Sequence, residues 1–185
     1  MAGVVAYGDL TAALESSDEI ILTHRLESVK ILPPPPEKNA PHLWGYITSQ
    51  AISLAQINAP ERVRCICMAV TADDDRDRGH PSSWSAELDQ LASGADDNTQ
   101  RLIIVSAGNT ANVTDAGQKY PDVQLTSSVQ DPAQSWNAIA VGAYTKLTQI
   151  TDPKLAGYRA VAPTNGLSPF STTSSEWLEN KWPIK

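Results

Sequence analysis

"RLIIVSAGNT", Arg101 to Thr110, sets four apolar residues in a row, Leu102, Ile103, Ile104 and Val105, and then breaks off through Ser106 into Ala-Gly-Asn. Three of the four are β-branched, and an apolar run without alternation reads as a strand covered on both faces. Two small residues and an amide side chain then stand directly past the strand's end. The rest of the chain supplies the context for that ending.

Three more stretches read as strands. "RVRCICMAVTA" precedes the first by one helix, "NAIAVGAYT" follows it, and "RLESVKIL" lies far upstream, stopped by Pro33 to Pro36, which forbid ladder pairing and favour an extended linker. The expected strands lie near 26–32, 63–71, 101–106 and 138–144. Between them, "PHLWGYITSQAISLAQINAP" predicts a helix of about four turns, with Leu43, Ile47, Ala51, Leu54 and Ala55 at helical spacing. "SSWSAELDQLASGA" predicts another, opened by Ser82 or Ser83 as N-cap, with Trp84 and Leu88 four apart. "MAGVVAYGDLTAAL" reads as the interior of a helix, and the tail from Lys146 to Lys185 is turn-rich. Strands alternating with helices predict an α/β fold, a mainly parallel sheet with flanking helices, as one domain over 1–185. In such sheets function collects just past the C-terminal ends of strands, which selects Thr71 to Asp75 and Ala107 to Thr110.

Composition narrows the function classes. The chain has 185 residues, 41% hydrophobic and 19% charged, as globular domains do. A net charge of -7 argues against nucleic acid, whose phosphates need clustered Lys and Arg. No apolar run approaches the ~20 residues of a membrane helix, and the start lacks a signal peptide's charged residues, so neither a membrane partner nor secretion is expected. Cys65 and Cys67 sit two apart on an expected strand, where they share a face, an arrangement that rarely suits a disulfide. They read as small buried hydrophobes in a reducing, cytoplasmic compartment. "ADDDRDRGH", Ala72 to His80, reads either as a cation site or as a solvated charged loop. It lacks spaced ligands, Arg76 and Arg78 offset its charge, and no metal is assigned.

Six segments, ordered along the chain as in that family, resemble the subtilisin-like serine proteases. "VSAGN" after a buried strand, "DPAQSWNAIAVGA" and "GLSPFSTTS" are similar to successive landmarks of that family, the last through a Phe-Ser turn at Phe170 and Ser171. "CMAVT" is similar to the strand lining the family's substrate cleft, in register with Met-Ser-Leu-Gly. "MAGVVA" resembles the helix following the family's His-Gly-Thr, and "KWPIK" the run-up to the Pro-Asp segment before its Gly-Thr-Ser. The resemblance spans nearly the whole chain. It implies part of a three-layer α/β/α domain that hydrolyses peptide bonds of a peptide or protein substrate, without a cofactor.

The resemblance also assigns residues. Asn109 would donate to the oxyanion of the tetrahedral intermediate, a neutral preorganised donor aimed where charge develops. Read from the residues alone, it is rather a left-handed turn residue or a loop cap. Ala107 and Gly108 would be small because a substrate side chain approaches there, and Ala69, Val70 and Thr71 would offer backbone to an added peptide strand. Ala69 and Thr71 depart from the family's usual Ser and Gly, which alters the depth and polarity of the pocket. None of the three histidines, His24, His42 and His80, stands in a His-Gly-Thr, and no Gly-Thr-Ser occurs. The resemblance places the missing His just before Met1 and the missing Ser beyond Lys185, so the chain reads as the interior of a peptidase domain, inactive alone. Its first strand and sheet face would then lack neighbours and favour self-association into a homo-oligomer. The rival reading is a complete, non-catalytic α/β module that binds peptides or proteins. A nucleotide enzyme is weakened by the lack of a Gly-rich phosphate loop.

Overall fold

The computed structural model describes residues 1–72, 80–110, 119–146, 148–175 and 177. Its elements are helices α1 (Ala2–Tyr7), α2 (Leu10–Glu15), α3 (Trp44–Asn58), α4 (Ser83–Ser93) and α5 (Asp122–Thr126), and strands β1 (Cys65–Met68), β2 (Leu102–Ser106) and β3 (Ile139–Val141). Short 3₁₀ turns at Pro41–Leu43 and Pro153–Leu155 complete the set.

The strands pair in the order β1-β2-β3, all parallel. Cys65 faces Leu102 and Met68 faces Val105, while Ile104 pairs with Ile139 and Ser106 with Val141. The long apolar run becomes the central strand. Three of the four expected strands are present. The fourth, 26–32, is not a strand: its residues pair with no ladder, and side chains hold the segment instead. Asn39 donates from Nδ2 to the Ile31 carbonyl at 2.7 Å, and Glu27 binds Arg62 and Arg64 at 2.5 and 2.6 Å. Hydrogen bonds from Arg64, then Arg62, hold the Glu27 carboxyl well below its ordinary range, at about 2. Arg64 also caps α3, donating from Nη2 to the Ala55 and Ala59 carbonyls at 2.8 Å each, a cation where the helix leaves its acceptors free.

The core lies on one face of the sheet. Side chains alternate along a strand, so Ile103 and Val105, each 1% exposed, point to the same side and meet α4. Helix α4 buries Trp84, Leu88, Leu91 and Ala92, a stripe at helical spacing, and Ser82 caps it by accepting from Ser85 N–H at 3.1 Å. Helix α3 packs on α4 through Trp44 and Trp84, whose rings lie 5.2 Å apart, and the Trp84 indole donates to Thr48 Oγ1 at 3.0 Å. That contact rotates α3 from the expected face. Thr48, Ala51 and Ile52 are buried, whereas Leu43 and Leu54 are exposed.

The opposite face differs from expectation. Leu102, Ile139 and Val141 are 49%, 52% and 50% exposed, so β2 is not covered on both sides among the described residues. Register carries Cys65 and Cys67 onto this same face, opposite Leu102 and Ile104, which makes both thiols exposed rather than buried. Cys67 Sγ lies 3.2 Å from Met1 Sδ, so the chain's start rests beside this face. The opening segment is two short helices rather than one. Gly8, at a φ of 70°, ends α1, and Asp9 caps α2 by accepting from Thr11 and Ala12 N–H.

Candidate functional site

Parallel neighbours end at the same edge, so the segments after β1 and β2 emerge side by side: Ala69 to Ala72 from one, Ala107 to Asn109 from the other. All six residues selected from the sequence, Ala69, Val70, Thr71, Ala107, Gly108 and Asn109, lie at this one edge. Outside the strand ladder, no hydrogen bond among the described residues engages the backbone of Ala69, Val70 or Thr71. Val70 and Thr71 line a pocket of about 310 Å³, whose walls include Ile31, Trp44, Ile47 and Trp84. Its lining is mainly apolar, with Glu37, Lys38 and Asn39 at one side.

The second segment is fixed far more tightly. Ala107 donates to the Val141 carbonyl at 3.0 Å, and its own carbonyl accepts from Gln130 N–H at 2.9 Å and Thr172 Oγ1 at 2.7 Å. Its backbone is fully used by the protein, and it lines a second pocket, of about 340 Å³, with Ala140, Gly142, Tyr144 and Leu167. Gly108 has a φ of 107°, which L side chains rarely adopt, and a Cβ there would stand 2.7 Å from Gln130 Cδ and 2.8 Å from Gln130 Cβ. Asn109 follows, exposed. Its N–H donates to Gln130 Oε1 at 3.1 Å and its carbonyl accepts from Gln130 Nε2 at 3.0 Å. Its own carboxamide has no hydrogen-bond partner among the described residues.

Distant pieces of sequence close around this turn. Asn109 forms an antiparallel bridge with Ser171, and Thr110 donates to the Phe170 and Pro169 carbonyls, each at 3.0 Å, from its N–H and its hydroxyl. Ser171 Oγ accepts from Ala143 N–H at 3.1 Å, just past β3, and a Cβ on Gly142 would lie 3.0 Å from it. The Ala-Gly-Asn turn, the Ala-Val-Gly-Ala strand end and the Phe-Ser turn thus meet at one place. Buried polar residues frame them: Gln124 donates to the Pro169 carbonyl at 2.6 Å, and Asp131 accepts from Ser85 Oγ at 2.9 Å. The sequence singled out neither Gln124, Gln130 nor Thr172. Each sits in a polar stretch without periodicity, and no local signal marks it as buried.

The histidines do not build a site with these residues. His24 Nε2 bonds the Val5 carbonyl at 2.7 Å, His42 belongs to the Pro41–Leu43 turn, and His80 is exposed. Of the stretch weighed as a cation site, Ala72 to His80, residues 73–79 lie outside the described residues.

The family model of subtilases covers residues 1–185. Among curated proteins and solved structures nothing matches. The family is one of serine peptidases, acting on peptides and proteins in general. With three turns far apart in sequence gathered at one edge of a parallel sheet, and with the family's pattern running from Met1 to Lys185, this chain belongs to the subtilases.

Proposed function

We propose that these residues form the substrate cleft and oxyanion site of a peptide-bond hydrolase. Acyl transfer to a serine needs three things: a nucleophile with its base, a surface that holds the peptide extended, and a donor for the developing oxyanion. Ala69 to Thr71 serve as the surface. Their free backbone groups pair with a peptide laid alongside as an added strand, while the apolar pocket behind Val70 takes one of its side chains. Asn109 serves as the donor. When the nucleophile's oxygen bonds the scissile carbon, the carbonyl oxygen gains the charge and accepts from Asn109 Nδ2. The proton released goes to the base and then to the leaving amine.

The observation that carries this reading is the contrast at Asn109. Its backbone is held at both polar groups, yet its carboxamide is exposed and unspent. In this reading the base and nucleophile are not supplied by the 185 residues, since none of the three histidines stands in a His-Gly-Thr and no Gly-Thr-Ser occurs in them. The half-exposed Leu102, Ile139 and Val141 agree with this: parallel sheets are normally covered on both faces, and further chain or a second copy would cover this one. The same absence of triad motifs favours a second reading, in which the cleft binds peptides without cutting them.

Two measurements separate these readings. The 185-residue chain should not cleave a chromogenic peptide. In the full-length protein, Asn109→Ala should lower kcat ~10²–10³-fold with KM nearly unchanged, a range known for the oxyanion donor of a subtilisin and not worked from this structure. Wild-type turnover in that variant would return Asn109 to the role of a loop residue. A full-length protein that binds peptides but never cleaves them would establish the second reading.

A further inference from the structure

Asn109 is itself exposed, in a turn past a strand's end and outside the ladder that would hold its backbone. A catalytic donor is useful only if held within about 0.5 Å of its working position. We infer that Gln130 is the positioning residue that meets this need. The inference rests on reading Asn109 as the oxyanion donor.

The geometry is a two-point grip. A glutamine carboxamide has one acceptor and one donor end, complementary to the N–H and C=O of a single residue. Gln130 spends both on Asn109, at 3.1 and 3.0 Å, and this fixes the rotation of the backbone from which the Asn109 side chain projects. The grip is part-buried, with Gln130 itself only 9% exposed. It also requires the glycine before it. The place where a Gly108 Cβ would stand is occupied by the Gln130 side chain, so the two residues fit as a pair.

The same stretch ties both walls of the cleft. Gln130 N–H donates to the Ala107 carbonyl at 2.9 Å, and the next residue's carbonyl, that of Asp131, accepts from Ala72 N–H at 2.8 Å. The Asp131 carboxylate accepts from Ser85 Oγ at 2.9 Å, near the start of α4. Two consecutive residues therefore hold the donor segment and the peptide-pairing segment to one support. The distance between the bond to be cut and its oxyanion donor is set there.

The test uses Gln130→Leu, which keeps much of the volume and neither hydrogen bond, and Gln130→Glu, which keeps only the acceptor. Hydrogen exchange, read by NMR on the 185-residue chain, should quicken at the Asn109 amide by at least about tenfold in Gln130→Leu, while the Val105 and Leu88 amides keep their wild-type rates. Gln130→Glu should keep the amide protected, and it carries the kinetic arm should the leucine variant fail to fold. In the full-length protein, each variant should lower kcat about tenfold or more with KM within twofold, and neither should slow Asn109→Ala further, since the positioned donor is already gone. Unchanged exchange at Asn109 in Gln130→Leu overturns the grip. Losses that multiply with Asn109→Ala, or a loss confined to KM, overturn the positioning role and make Gln130 an independent contact. If Asn109→Ala alone keeps wild-type turnover, the oxyanion reading has failed, and the exchange result still decides whether Gln130 holds the turn.

Discussion

Gly108→Ala should be among the costliest single-methyl additions in this protein. Two penalties coincide there. The backbone φ of 107° strains any L residue by about 1–3 kcal/mol, and the new Cβ would meet Gln130 Cδ at 2.7 Å and Cβ at 2.8 Å, overpacking that costs about another 1–3. Neither neighbour is the loose end of a chain, because the Gln130 carboxamide is pinned to Asn109 at both ends. Relief by swinging Gln130 away sacrifices two hydrogen bonds, roughly 0.5–1.5 kcal/mol each. The net expectation is a loss of about 3–5 kcal/mol, a large part of the ~5–15 that holds a domain together. Urea unfolding followed by tryptophan fluorescence measures it. Adding Gln130→Ala removes the contact with Cδ but leaves the one with Cβ and the strained φ, so the double variant should be more stable than the two single losses predict, by about 1 kcal/mol. A Gly108→Ala loss under about 1 kcal/mol, or single losses that simply add, would refute the reasoning.

Other perturbations probe the frame. Glu27, ordinarily near 4.5, is held down to about 2 in the folded chain by Arg64 and Arg62. A depressed folded pKa means that its contribution is present above about 4.5 and is lost as pH falls from there toward about 2; Glu27→Gln should flatten the stability-against-pH curve in that window, and identical curves would deny the pairing. Trp84→Phe removes the indole bond to Thr48 and part of the contact with Trp44, and should cost about 1–3 kcal/mol in the same urea assay, with a smaller loss placing the α3–α4 contact elsewhere. The sheet face that is half exposed among the described residues should drive self-association, which light scattering across a concentration series would register. Leu102→Glu or Ile139→Glu should abolish it without lowering the unfolding midpoint, because both side chains are about half exposed already. A monomer at every concentration would remove the oligomer from the proposed account.

Much of the architecture was legible because it rests on local rules. Leu102 to Val105 read as a strand and form one, the Trp84 and Leu88 stripe became the buried face of α4, and Ser82 capped it. The ordering of Ala-Gly-Asn after one strand and Ala-Val-Gly-Ala in another sufficed to gather the candidate site at one edge, since parallel strands necessarily end together. What the sequence left undetermined was every contact made between segments distant in the chain. Residues 26–32 have the composition of a strand, but strand formation requires a neighbour's free backbone, and side chains anchor that segment instead. Cys65 and Cys67 look like core residues, yet burial depends on which face the helices choose, and register set the thiols on the other one. Above all, Gln130 carries no periodicity or motif that marks it as the support of Asn109. A polar side chain becomes a structural part only when folding brings its two hydrogen-bonding ends to the two backbone groups of one residue, and only the tertiary structure does that.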